Sequence, residues 1–285
     1  MISPVSAFFA LLSAGLVGGS DFLGGVASRR MWPIRVAARA QAVGFVLGLP
    51  TAVAVGADRV TSSDIAWSVG SGLTVGVGLA FFYSALVLGQ ISVIAPVTAL
   101  VGTVLPVGVG LARNERPGVL ALIGIGAAVV AVAIVSVAPS SGDLAVGAAR
   151  RGLVFAVVAG LCFGVFLICL DQIGKAAGLW AVPLSRGASA GLLALIVVLS
   201  RHPEPATGRG TGRLILAIGA LEVAAVGSLV LAFRHGTLAI PSVLASLYPV
   251  TTVLLAAFFL HERLSRLQLS AVLLALGAVV LISTG

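Results

Sequence analysis

Ten long apolar stretches run through this sequence, and they restrict the possible folds more than any other feature. The stretches lie at residues 6–27, 34–56, 64–87, 91–112, 117–138, 151–171, 179–200, 213–235, 238–260 and 266–283. An α-helix needs about 20 mostly apolar residues to cross the hydrocarbon core of a bilayer. Because lipid offers no hydrogen bonds to the backbone, each stretch is predicted to be a helix. The expected fold is an all-α integral membrane protein with ten transmembrane helices.

The composition agrees with this fold and excludes a soluble globular enzyme. Only 9% of the 285 residues are charged and 59% are hydrophobic, whereas a water-exposed surface carries roughly 25–35% charged residues. The net charge of +8 comes mainly from arginines in short loops between the spans. Basic loop residues beside a bilayer set membrane orientation, so no nucleic-acid partner is predicted.

The two halves of the chain are similar to each other. Arg39 and Arg186 lie inside corresponding spans, 147 residues apart. The same offset relates Gly44 to Gly191, Gly72 to Gly219, Glu115 to Glu262 and Arg116 to Arg263. We therefore predict two five-helix repeats, residues 1–139 and 150–285. Since five is an odd number, the second repeat would have inverted topology, an architecture that places a substrate site between the halves and supports alternating access.

Motifs near the end of each half resemble a known family. The second half carries Tyr248-Pro249 and His261-Glu262-Arg263, and the first carries Pro96, Pro106 and Glu115-Arg116 at the corresponding spans. These stretches resemble the EamA-type domain of the drug/metabolite transporter superfamily, over essentially the whole chain. The resemblance implies a non-enzymatic transporter in the plasma membrane, with a central cavity lined by spans 1–4 and 6–9. It leaves the cargo open.

Ionisable residues inside spans are the first candidates for the transport site, because their burial in a membrane is costly. Glu222 lies near the centre of the eighth span and Asp21 near the end of the first. Desolvation favours the neutral form of a carboxyl group, so either residue could exchange a proton or bind a cationic cargo. Alternatively, Arg39 or Arg186 neutralises Glu222, or a protonated Glu222 forms a hydrogen bond to a neighbour. Asp21 would then contact water or the arginines that follow its helix.

Arg39 and Arg186 are the second pair of candidates. A guanidinium group stays charged and binds carboxylates with two hydrogen bonds, so the repeat could place one arginine near each mouth of a cavity. The alternative is that both side chains extend to the membrane interface or pair with a helix end. Two acids and two arginines suit a zwitterion, such as an amino acid, slightly better than a lipophilic cation.

Tyrosines and prolines complete the candidate set. Tyr83 and Tyr248 are the only two tyrosines, and both lie in spans expected to face the cavity, where they could hydrogen-bond cargo or simply pack. The gating candidates interrupt the fourth and ninth spans, because proline removes a helical hydrogen bond; static kinks are the alternative. They are Pro96, Pro106, Pro241 and Pro249.

No metal site, cofactor or ATP-binding motif is predicted from this sequence. The expected partners are a small-molecule substrate, the lipid bilayer and protons, with the protein acting as a monomer or homodimer.

The loops on the two predicted sides of the membrane differ in basic residues. Those on the same side as the loop between spans 1 and 2 hold ten, and those on the opposite side hold five. This distribution favours termini outside the cell, whereas the resemblance implies cytoplasmic termini, which we adopt as the expectation.

The leading hypothesis is a secondary transporter that exports a small metabolite or amino acid by alternating access, with proton coupling through Glu222 and Asp21. One alternative is an uncoupled facilitator in which the charged residues hold helices together. Another is an integral-membrane enzyme acting on lipid, or a subunit that does not transport.

Overall fold

A computed structural model describes residues 4–112, 118–137, 146–202, 209–235, 247–261 and 266–284. Within these ranges the secondary structure consists of ten α-helices and one short 3₁₀ turn, Lys175–Ala177, with no strand. The helices are α1 Pro4–Ser28, α2 Pro33–Val55, α3 Ser62–Leu88, α4 Ile91–Ala112, α5 Val119–Val137, α6 Val146–Asp171, α7 Ala181–Ser200, α8 Arg209–Arg234, α9 Tyr248–Leu260 and α10 Arg266–Thr284.

Each helix coincides with one predicted span, and the ends differ by five residues or fewer wherever the structure describes them. The first part of the ninth predicted span lies outside the described residues. In the described part of the chain, six helices are long and apolar enough to cross a membrane, namely α1, α2, α3, α6, α7 and α8. The remaining four provide shorter apolar segments. The chain is therefore a multi-pass membrane protein.

The main helix contacts join the two halves of the chain. Helix α3 packs along α6, and its counterpart α8 packs along α1 in the same way. Helix α2 lies against α7, and α5 lies against α10. The contacts of α3 with α7 and of α8 with α2 form a further matched pair. Most of the buried interface is thus formed between halves and not within them.

Glycines allow the closest of these approaches. A Cβ atom at Gly72 would clash with the Ser185 carbonyl oxygen of α7, and one at Gly219 would lie 2.5 Å from Val43 Cγ1 of α2. Small residues let helix backbones approach where no hydrophobic effect drives helix association. These two glycines occupy equivalent positions in the two halves, so the repeated sequence pattern corresponds to repeated packing.

Loops at the two ends of the helices also join the halves. Asp64 forms a capping box with Thr61 at the start of α3, and its Oδ1 accepts a 2.8 Å hydrogen bond from the Gly174 backbone N–H. The contact of Asp64 is near the C-terminal end of α2. At the N-terminal end of α2, the Trp32 ring stacks on His202 with ring centroids 4.6 Å apart. Arg35 donates a 2.9 Å hydrogen bond to the His202 carbonyl oxygen.

Candidate functional site

A compact polar cluster lies between α1, α2, α7 and α8. Arg186 Nη1 donates to Glu222 Oε2 at 2.7 Å and to Gln41 Oε1 at 3.0 Å. Gln41 Nε2 donates to the same Glu222 oxygen at 3.0 Å, which closes a triangle of hydrogen bonds. Ser20 Oγ approaches the other carboxylate oxygen at 3.5 Å. The cluster takes two residues from each half of the chain.

The cluster is almost removed from solvent, because the Arg186 and Glu222 side chains are only 11% and 10% exposed. Gln41 is fully buried. A buried ion pair is tolerable only when further hydrogen bonds satisfy its remaining polar atoms, and here Gln41 contacts both charged partners. Arg186 therefore lies where its charge can compensate that of Glu222, and the transport role of Glu222 stays a prediction.

Asp21 is the second acidic residue at this site. It follows Ser20 in α1, is half-buried, and lies close enough to Glu222 for the two carboxylates to repel each other. Within the described part of the chain no basic side chain forms an ion pair with Asp21. The site therefore holds two acids and one arginine, and Asp21 is the acid whose charge is not directly compensated.

The two tyrosines predicted to contact cargo both pack against α1 near these acids. Tyr83 of α3 is fully buried. Its hydroxyl lies beside Ser20, and the charges of Asp21, Glu222 and Arg186 act on it. Tyr248 is at the start of α9, and the charge of Asp21 acts on its hydroxyl. The site thus combines charged groups with two phenolic hydroxyls.

Glycines in α1 make room for both tyrosines. A Cβ at Gly24 would lie 2.5 Å from the Tyr83 ring, and one at Gly18 would lie 2.6 Å from the Tyr248 carbonyl oxygen. The Thr252 hydroxyl donates to the Gly18 carbonyl oxygen at 3.2 Å. Helix α1 can therefore contact α3 and α9 closely near Asp21.

Arg39 lies outside this cluster. It is half-buried near the start of α2, where its Nη1 approaches the Met31 sulfur at 4.0 Å. It lines a groove between α2 and α7. The two arginines that the 147-residue offset relates therefore have different surroundings, and of these two Arg186 is the one that contacts Glu222.

The proline candidates differ in position. Pro96 and Pro106 lie within α4, which continues through both of them, and Pro96 is buried. Pro249 is in the first turn of α9, where a missing N–H breaks no helical hydrogen bond. Pro241 lies outside the described residues. The gating role stays a prediction.

Gln41 and Ser20 belong to the site although neither is among the candidates predicted from the sequence. Gln41 is the one amide side chain inside the second span, two residues after Arg39, and Ser20 directly precedes Asp21. Gln41 could have been predicted from the sequence as a site residue, because a polar group inside a membrane span needs a hydrogen-bond partner. Serine is too common in membrane helices to be a comparable indication.

Comparison with known proteins supports the fold along the full length and a family over nearly half of it. Residues 150–284 match the model of the EamA-like transporter family. A protein crystal structure superposes on this chain with a TM-score of 0.65 at 18% sequence identity, covering 98% of each chain. At that identity the likeness concerns the fold alone. Among curated proteins, no sequence matches.

Proposed function

We propose that the whole chain belongs to the EamA-like transporter family, whose model residues 150–284 match, and that it is a secondary transporter. It exports a small metabolite or amino acid by alternating access between two inverted five-helix halves. The matched contacts α3–α6 and α8–α1 support the repeat. A plasma-membrane location, and a monomer or homodimer as the working unit, belong to the same proposal.

The buried polar cluster is the observation that carries this proposal. Ser20 and Gln41 come from the first half, and Arg186 and Glu222 from the second. Any rotation of one half against the other changes the contacts within the cluster. A site shared by two moving units is the arrangement that alternating access requires.

Asp21 is the proposed proton-carrying group. Glu222 is compensated by Arg186 at 2.7 Å, whereas Asp21 has no such partner among the described residues. A carboxylate in this position can take up either a proton or the ammonium group of a zwitterionic cargo, and so exchange one for the other. The hydroxyls of Tyr83 and Tyr248 are the proposed groups that orient the cargo, because both tyrosines pack against α1 near Asp21.

The test is proton movement in proteoliposomes that contain an internal pH indicator. Pools of amino acids, other metabolites and cationic dyes are added to wild type, Asp21→Asn and Glu222→Gln. Asp58→Asn is the matched control, because Asp58 is an exposed carboxylate in the loop between α2 and α3. We expect a substrate-evoked proton flux in wild type and Asp58→Asn, and its loss in Asp21→Asn.

Counterflow of labelled substrate separates coupling from transport. A proton-coupled carrier with Asp21→Asn should still exchange substrate for substrate, because exchange needs no net proton transfer, but with a lower apparent affinity, because the ammonium group of the cargo loses its carboxylate partner. Substrate flux without proton movement in wild type, unchanged in Asp21→Asn, would instead identify an uncoupled facilitator. Absence of flux for every pool would favour the alternative of a membrane-embedded enzyme or non-transporting subunit.

A further inference from the structure

A groove of about 530 Å³ runs along the outer surface between α2 and α7, separate from the charged cluster. Its apolar wall on α7 includes Gly191, Ala194 and Val198. Val198 is 70% exposed and the neighbouring Leu199 is 71% exposed. In a membrane protein an exposed apolar wall of this kind contacts lipid, so the groove opens toward the bilayer.

One end of the groove is strongly basic. Arg35 and Arg39 both line it, and they are one helical turn apart on α2, about 6 Å along the axis. Arg35 is only 8% exposed, and within the described residues its Nη1 is buried with no hydrogen-bond partner. Arginine inside a membrane span is costly unless an anionic or polar group compensates it.

The basic end lies at the level of the membrane interface. Trp32 immediately precedes α2 and stacks on His202, which follows α7. Tryptophan is enriched where lipid headgroups meet the hydrocarbon core. Arg29 and Arg30, in the same loop, are exposed. The groove therefore begins at headgroup level and continues toward the middle of the bilayer.

A second groove extends the apolar track. It has a volume of about 280 Å³, is lined by Val43, Val46, Leu47 and Leu216, and shares Ala42 with the first groove. The lining thus changes from two guanidinium groups at the interface to aliphatic side chains at depth. A phospholipid changes in the same direction, from a charged phosphate headgroup at the interface to apolar acyl chains in the middle of the bilayer.

We propose that this surface binds an anionic phospholipid, with its phosphate between Arg35 and Arg39 and one acyl chain along the apolar wall. Guanidinium groups form paired, charge-assisted hydrogen bonds with phosphate oxygens. Basic pockets between transmembrane helices are suited to anionic headgroups. The bound lipid bridges α2 and α7, which belong to different halves. Lipid binding here does not depend on the identity of the cargo.

The test uses Trp32 as a fluorescent reporter. Trp67 and Trp180 are the other two tryptophans, and Trp67→Phe with Trp180→Phe leaves Trp32 alone. The protein is reconstituted into phosphatidylcholine vesicles that contain either brominated phosphatidylglycerol or brominated phosphatidylcholine at equal mole fraction. We expect stronger quenching by the anionic lipid. Arg39→Gln should lower its relative affinity roughly fivefold, which corresponds to the ~1 kcal/mol that one basic residue contributes near an anionic membrane surface.

A matched control separates the groove from general surface charge. Arg30→Gln removes an exposed loop charge and should change the relative affinity by less than twofold, about the effect of a screened surface charge. Arg35→Gln should act like Arg39→Gln, but its side chain is buried, so this variant could also fold poorly. Arg39→Gln therefore provides the decisive charge measurement.

Filling the apolar part of the groove gives an independent measurement. A Cβ at Gly191 meets no atom within 4 Å, so Gly191→Leu should fold and project into the groove. We expect it to abolish the preference for anionic lipid without changing any charge. Gly126→Leu is the control, because Gly126 in α5 is also unobstructed and lies on another surface.

Three results would overturn the proposal. Equal quenching by the two brominated lipids would show no preference for an anionic headgroup. Persistence of the preference in both Arg39→Gln and Gly191→Leu would place the lipid elsewhere. Loss of the preference on adding glycerol 3-phosphate would mean that a soluble phosphate, and not a lipid, occupies the basic end.

Discussion

Arg39 and Arg186 are 147 residues apart, at corresponding positions in the two halves of the sequence, but they have different neighbours. Arg186 meets Glu222 and Gln41, whereas Arg39 lies beside Met31 at the groove. The position in the first half that corresponds to Glu222 is Val75. The acid that pairs with Arg186 therefore has no counterpart in the first half. At the level of single residues, the similarity between the two halves does not extend to the charged cluster.

Removing one member of the buried pair should destabilise the protein more than removing both. We expect Arg186→Met and Glu222→Gln each to lower the free energy of unfolding by about 3–5 kcal/mol, because each leaves a buried charge without its partner. The double variant should lie closer to wild type than either single variant. Unfolding in mixed detergent micelles gives all four stabilities.

Arg39→Met is the control for that experiment, because it removes the same side chain from the equivalent position outside the cluster. Its effect should be smaller than that of Arg186→Met. Additive losses in the double variant would contradict energetic coupling between Arg186 and Glu222.

At the level of helices, glycines determine how closely the halves approach. Gly219 brings α8 against α2, where its missing side chain leaves room for Val43 and the Ala40 carbonyl oxygen. Gly72 does the same for α3 against α7. At other glycines, such as Gly227 of α8, an added Cβ would meet no atom within 4 Å. Glycine spacing alone does not distinguish these two groups.

Gly219→Ala should therefore destabilise the protein while Gly227→Ala does not. The added methyl group at residue 219 would force α8 from α2, at a cost of about 1–3 kcal/mol. At residue 227 the gain in helix propensity should stabilise by up to about 1 kcal/mol. Thermal unfolding in detergent compares the two, and a lower melting temperature for Gly227→Ala would contradict the assigned packing.

At the level of the whole molecule, loop contacts indicate which connections share a side of the membrane. The Ala176 carbonyl oxygen accepts hydrogen bonds from the backbone N–H groups of Asp58 and Arg59 at 3.1 and 3.2 Å. Trp32 and His202 stack at the other end of α2. This arrangement is consistent with helices that cross the membrane alternately.

Cysteine labelling tests this topology. In a background with Cys162→Ser and Cys169→Ser, single cysteines replace the exposed residues Arg30, His202, Asp58 and Ala176. An impermeant maleimide added to whole cells should label residues 30 and 202 alike, and residues 58 and 176 only after the membrane is opened. That result corresponds to cytoplasmic termini.

The reverse pattern would keep the fold and place the termini outside, as the distribution of basic loop residues favours. Labelling of residues 30 and 58 from the same side would contradict a membrane-spanning α2.

The positions of the helices could be predicted from the sequence alone. A span needs a continuous apolar run, and that property is local, so the predicted α4 range of 91–112 equals the observed Ile91–Ala112. The sequence alone also identifies the candidates Glu222, Asp21 and Arg186, because an ionisable residue within an apolar run can be recognised without any tertiary information.

Only the tertiary structure decided which of these residues meet. Glu222 contacts Gln41 across 181 residues of sequence, and this depends on the rotation of α2 and α8 about their axes. An apolar span is hydrophobic on all sides, so its sequence does not indicate which face points inward. Helix packing therefore determines the ion pair between Arg186 and Glu222 and the position of Arg39 at the groove between α2 and α7.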